Sequence, residues 1–117
     1  MHEFRKLRVW QLSRELASVV ERTSRRFPRE DHGVVSSQLR RAAISIPANI
    51  AEGCGKSSRK ETVRYFQIAA GSATEVENHL VLACDFGFLT VKARDELLDQ
   101  LNAIQRMLFK LMRNLPE

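Results

Sequence analysis

Between Val9 and Phe27, side chains suited to a core recur three and four positions apart, at Val9, Leu12, Leu16, Val19, Thr23 and Phe27. This spacing predicts an amphipathic helix from about Val9 to Arg26. Its opposite face carries Arg14, Ser18, Arg22 and Arg25, and Pro28 ends it, because the residue before a proline avoids helical angles. A second helix is predicted from Val35 to Gly53. The third starts at Ser58, which with Glu61 fits a capping box, and runs to about Asp85 with Phe66, Ala69, Ala70, Ala73, Val76, Leu80 and Cys84 inward. Gly87 is placed to end it in the left-handed conformation. Thr90 caps the fourth, whose stripe is Leu97, Leu101, Ile104, Leu108, Leu111 and Leu115, ahead of Pro116. No segment alternates with period two. Four helices of similar length with short connections favour antiparallel neighbours, so the expected fold is all-α: an up-down-up-down four-helix bundle forming one domain over residues 1–117.

The second helix breaks the pattern of one apolar stripe per helix. Within "RRAAISIPANIAEGCGKSS", stepping about 100° per residue puts Val35, Leu39, Ala42, Ala43, Ile46 and Ile50 on one side. Ile44, Ala48 and Ala51 fall on the other. A helix apolar on two faces is normally buried on both, which predicts assembly of the bundle into a symmetric homo-oligomer through Ile44, Ala48 and Ala51, flanked by Arg40 and Arg41. Pro47 removes the hydrogen bond to the carbonyl of Ala43, and a kink or local opening is expected there. Asn49 and Glu52, with Ser72 and Glu77 as partners on the third helix, are read as structural polar groups that lock helix register.

Composition and charge then narrow the function. Apolar residues make up 44% and charged residues 28%, an ordinary globular balance. No apolar run follows the basic residues of "MHEFRKLRVWQLSRE", and no stretch reaches the roughly 18 apolar residues of a membrane helix, so a cytosolic protein is expected. The net charge of +5 is uneven: residues 1–60 hold 13 Lys and Arg against 6 Asp and Glu, whereas residues 61–117 hold 6 against 8. A basic half favours an anionic partner, nucleic acid above all. The candidate contacts are Arg14, Arg22, Arg25 and Arg26 on the first helix, Arg40 and Arg41 on the second, and Lys56, Arg59 and Lys60 at the start of the third. Oligomerisation would repeat this patch and raise its avidity. Contact would be mainly with phosphates, with weak sequence preference and steep salt dependence, because aromatic residues for base stacking are few. The alternatives are a scaffold that docks another protein without touching nucleic acid, and arginines that only neutralise acidic residues of adjacent subunits.

No catalytic residue, metal or cofactor is expected. Cys54 and Cys84 stand thirty positions apart without a Cys-x-x-Cys pair and read as reduced, packed thiols, and His2, His32 and His79 are scattered. "GCGKSS" contains Gly-Lys-Ser, but a phosphate loop needs a glycine where this chain has Ile50, and it also needs a preceding strand. Asp95, Glu96 and Asp99 beside Arg94 read as a solvated face. No serine sits in a nucleophile elbow, and neither cysteine has an evident activating histidine. The protein is therefore expected not to be an enzyme.

The stretch "QLRRAAISIPANIAEG", preceded by "FRKLRVWQLS" and "FPRED" and followed by Gly71-Ser72 and Glu75, resembles a family of four-helix bundles. These are encoded in intervening sequences of bacterial 23S ribosomal RNA genes and are also described as ribosomal-protein-like. The accessory variability protein of diversity-generating retroelements is among its relatives. The resemblance covers nearly the whole chain. It implies an antiparallel bundle assembling as a homopentamer; in the retroelement relative a basic surface binds nucleic acid and the barrel contacts a reverse transcriptase. Most members have no established biochemical activity. His32 stands where many relatives have tyrosine, and Ala73 follows Gly-Ser where leucine is common. The motif from Gln38 to Gly53 carries over in a structural role; nucleic-acid contacts do not carry over position by position.

Overall fold

In the computed structural model, which describes residues 3–116, four helices follow in the expected order. They are α1 (Arg8–Arg25), α2 (Val34–Cys54), α3 (Arg59–Asp85) and α4 (Val91–Arg113), with single 3-10 turns at Phe4–Lys6 and Arg29–Asp31. Each helix packs against its chain neighbours, α1 closes on α4, and α2 against α3 is the most extensive seam. The result is an all-α four-helix bundle with extents of 49 × 22 × 20 Å, its long axis set by helices of roughly 27–40 Å at about 1.5 Å per residue.

The core lies where helical periodicity puts it on α2, with Val35, Leu39, Ala42, Ala43, Ile46 and Ile50 all buried. On α3, Phe66, Ala69, Ala73, Val76 and Leu80 are buried as expected, but Ala83 takes the last inward place while Ala70 and Cys84 are half-buried. On α4 the stripe holds at Leu97, Leu101, Ile104 and Leu108, with Met112 buried, Leu111 only half-buried and Leu115 buried just beyond the helix. The first helix is rotated from the expected face. Its buried residues are Val9, Ser13, Leu16, Val20 and Ser24, while Leu12, Val19, Thr23 and Phe27 are half-buried. Hydropathy overlooks the two serines because their cost of burial vanishes once their hydroxyls are paired: Ser13 Oγ donates to the Trp10 carbonyl at 2.8 Å and Ser24 Oγ to that of Glu21 at 3.2 Å.

Local chemistry fixes the helix ends. Ser58 Oγ accepts from the Glu61 amide at 3.2 Å, while the Glu61 carboxylate turns to Arg64 at 3.7 Å, so only the serine half of the box forms. Thr90 Oγ1 accepts from the Ala93 amide at 3.1 Å. Gly87, at φ 80°, completes a Schellman ending of α3, with the Phe88 amide bonded to the Ala83 carbonyl at 2.9 Å and the Gly87 amide to that of Cys84 at 3.0 Å. At the start of α2 the chain turns through two left-handed residues, His32 at φ 52° and Gly33 at φ 74°. Buried Asp31 then reaches forward: its carboxylate accepts from the Val35 amide (2.8 Å), the Ser36 amide (3.1 Å) and the Ser36 hydroxyl (2.6 Å). Burial pushes this carboxyl up, but the bonds from Ser36 and Val35, with Arg40 nearby, outweigh it and hold the group below its ordinary value.

Small residues let α2 and α3 approach closely. A Cβ at Gly53 would stand 2.7 Å from the Phe66 ring and 3.2 Å from the Thr62 carbonyl, and Thr62 Oγ1 donates to the Gly53 carbonyl at 3.0 Å. The helix runs unbroken through Pro47. Asn49 braces that turn from within α2, donating to the Ser45 carbonyl at 2.8 Å and to Ser45 Oγ at 2.9 Å. The link to α3 is made one residue removed, where Ser45 Oγ and Ser72 Oγ are 2.8 Å apart. Glu77 is exposed, and Glu52 is exposed beside Lys56 at 3.7 Å, so neither takes part in this inter-helix bond.

Candidate nucleic-acid interface

Arg14, Arg22, Arg25 and Arg26 are exposed on the outward side of α1, as helical spacing requires of residues opposite Val9, Leu16 and Val20. They are not equally available. The Arg14 guanidinium lies over the Trp10 ring, 5.7 Å from its centroid, and Arg25 Nε is 2.8 Å from Glu21 Oε1. Arg40 is half-buried: its guanidinium donates to Ser24 Oγ at 3.1 Å and stands 3.8 Å from Glu21 Oε2, so it ties α2 to α1. Arg41 is exposed.

Candidate contacts on α1 and α2 converge with part of the expected interface. Arg14, Arg22 and Arg40 line a groove of about 450 Å³ between α1 and α2 together with Ile44 and Pro47. Ile44 is 58% exposed. The expected interface residues themselves divide: Ala48 and Ala51 share a separate cleft with Phe4, whose 3-10 turn packs on α2. Ala48 is nevertheless exposed and Ala51 half-buried, so the second apolar face stays open, with Ile44 as its large apolar residue.

Lys56, Arg59 and Lys60 lie apart from the α1 arginines, at the end of the bundle where α2 passes to α3. Lys56 sits over the Tyr65 ring at 5.0 Å, and Arg59 and Lys60 are exposed. Three clefts show which other segments share that end. One joins Phe4 to Lys56, a second joins Lys56 and Arg59 to Leu115, and a third joins Arg8 to Lys110. Lys6, Arg8, Lys110 and Arg113 thus join the same cationic end, which a division of the sequence into basic and acidic halves conceals. The antiparallel order of four helices is the signal that would have found them, since it brings both chain ends to the α2–α3 turn.

Among the described residues no group of three His, Cys, Asp or Glu is placed to hold a metal ion; His2 lies outside them. Cys54 is buried, and burial pushes its thiol up, away from the thiolate that nucleophilic chemistry uses. No helix among the described residues is long and apolar enough to cross a membrane.

Fold and surface together define a small helical bundle with a mixed cationic and apolar flank and a cationic end. The chain belongs to the 23S rRNA-intervening sequence protein family, whose model matches residues 5–110. It is also similar to a protein of unknown function from the S23 ribosomal protein family of Bacteroides thetaiotaomicron. That likeness has a TM-score of 0.82 at 25% identity and covers 91% of this chain and 99% of that one. No curated protein matches the chain.

Proposed function

We propose that this protein is a non-enzymatic homo-oligomer, a pentamer by family resemblance, that binds RNA through a repeated basic surface with little sequence preference. The supporting observation is an exposed cationic surface, on α1 and around the α2–α3 turn, together with an Ile44 that is 58% exposed on the flank. An apolar residue in that position suits contact with another copy, and repetition of a weak cationic patch suits a polyanion. The family's link to an intervening sequence of ribosomal RNA is in keeping with an RNA partner.

The expected result of a gel shift with structured and single-stranded RNA is retardation at about 50 mM salt that weakens by roughly a hundredfold or more at 200 mM. Absence of retardation at the lower salt overturns RNA binding. Light scattering on the same sample is expected to give a multiple of the 13.4 kDa chain, and Ile44→Glu is expected to return it towards the monomer. A folded monomer at micromolar concentration overturns the assembly. Recovery of a protein partner that survives nuclease, with no RNA, favours the scaffold reading instead.

A further inference from the structure

Charge is polarised along the bundle axis. Residues 3–8, 52–64 and 106–116, which the three clefts bring to one end, carry ten Lys and Arg against three Asp and Glu, a net of +7. The remaining described residues carry nine against ten, a net of −1. Nor is the cationic end internally neutralised. Its three acids are each taken up by one neighbour, Glu3 by Arg5, Glu52 by Lys56 and Glu61 by Arg64, which leaves the other seven cations exposed with no acidic partner within 4 Å among the described residues. On the flank, by contrast, Glu21 engages both Arg25 and Arg40.

Three of these cations are placed against the interest of the fold. Arg8 opens α1, and Arg59 and Lys60 open α3, where positive charge opposes the helix dipole. Side chains that cost stability and find no partner within the chain are suited to a partner outside it. The end also supplies a group that the flank uses up in packing. Phe109 of α4 is 48% exposed, and Arg106 and Arg113, three positions before and four after it, fall on the same helix face. An open ring between two guanidinium groups can take an unpaired base on its face while the arginines hold the flanking phosphates. Trp10, the aromatic residue of the flank, is half-buried and covered by Arg14.

From this we infer that the cationic end of the bundle, with Phe109 as a base-stacking residue, is the primary docking face for single-stranded RNA. The inference rests on the RNA-binding reading and sharpens it. A copy seated on Ile44 would cover Arg14, Arg22 and Arg40 in the same groove, whereas none of the end's seven open cations lines that groove.

The test uses the full chain and a uridine oligonucleotide of about 24 nucleotides, titrated between 50 and 200 mM salt. An end variant (Arg59→Gln, Lys60→Gln, Lys110→Gln, Arg113→Gln) is compared with a flank variant (Arg14→Gln, Arg22→Gln, Arg25→Gln, Arg26→Gln). The end variant is expected to bind at least tenfold more weakly and to lose about 2 to 3 from the slope of log affinity against log salt, a larger loss than that of the flank variant. Phe109→Ala is expected to weaken binding by roughly tenfold with the salt slope unchanged, and Phe109→Tyr to restore it. A flank variant that loses as much as the end variant, or a Phe109→Ala protein that binds as well as the unaltered chain, overturns the inference while RNA binding stands. Failure of the unaltered chain to bind removes the RNA-binding reading and the inference with it. All five side chains altered at the end are exposed, so unchanged helical content verifies that the variants are folded.

Discussion

The two ends of this bundle solve opposite problems. At the end formed by the α1–α2 and α3–α4 connections, the chain closes on itself. Phe27, Phe88 and Phe86 form a ring cluster with centroids 5.8 Å apart in each successive pair, Gly87 turns the backbone, and Asp31 is buried with three hydrogen bonds. At the other end, cations outnumber acids by ten to three and seven of them are left in water. One end pairs its aromatic rings with one another and buries a carboxylate; the other leaves most of its cations without an acidic partner. The contrast teaches that net charge per half of the sequence is a poor guide to surface charge in an antiparallel bundle, because residues far apart in the chain meet at the same end.

The largest effect is expected where the closed end is broken at its polar centre. Asp31→Ala leaves the Val35 and Ser36 amides without their acceptor and is expected to cost about 2–3 kcal/mol by urea or thermal unfolding. The same residue gives a pH signature. Because the fold holds this carboxyl below its ordinary value of 3.8, its stabilisation is complete above that value and is lost as pH falls through the lower folded-state value. Asp31→Asn is expected to flatten that acid limb; an unaltered limb would show that other carboxylates set it. Next in size, Phe88→Ala removes a ring shared by both aromatic pairs and is expected to cost about 1–2 kcal/mol, because Phe88 is only half-buried. The smallest effect has the opposite sign. Arg59→Gln with Lys60→Gln at the open end is expected to raise stability by about 0.5–1 kcal/mol at low salt, with the gain shrinking as salt rises. A loss of stability in that double variant would show that these cations serve the fold, and the contrast between the ends would no longer hold.

Much of this architecture is legible in the sequence. Helical periodicity locates four helices and most of their inward residues, and side-chain chemistry locates the caps at Ser58 and Thr90 and the turn at Gly87. The errors share a physical origin. On α1, buried Ser13 and Ser24 are invisible to hydropathy because their cost is cancelled by carbonyls of their own helix. Asp31 looks like a surface turn residue until the fold supplies Val35 and Ser36 as donors. Asn49 was expected to reach α3; it braces its own helix across Pro47, and the shorter Ser45 makes the link to Ser72.

Periodicity, proline and glycine placement and capping residues act within a few positions of one another, and the sequence alone therefore determined the helices, their order and the two-sided apolar character of α2. The approach of Gly53 to the Phe66 ring, the cleft that Phe4 forms with Ala48 and Ala51, the tying of Arg40 between helices and the gathering of cations from three distant segments into one end were decided only by tertiary structure. Those features depend on distances between elements. Distances of that kind exist only once the helices have packed.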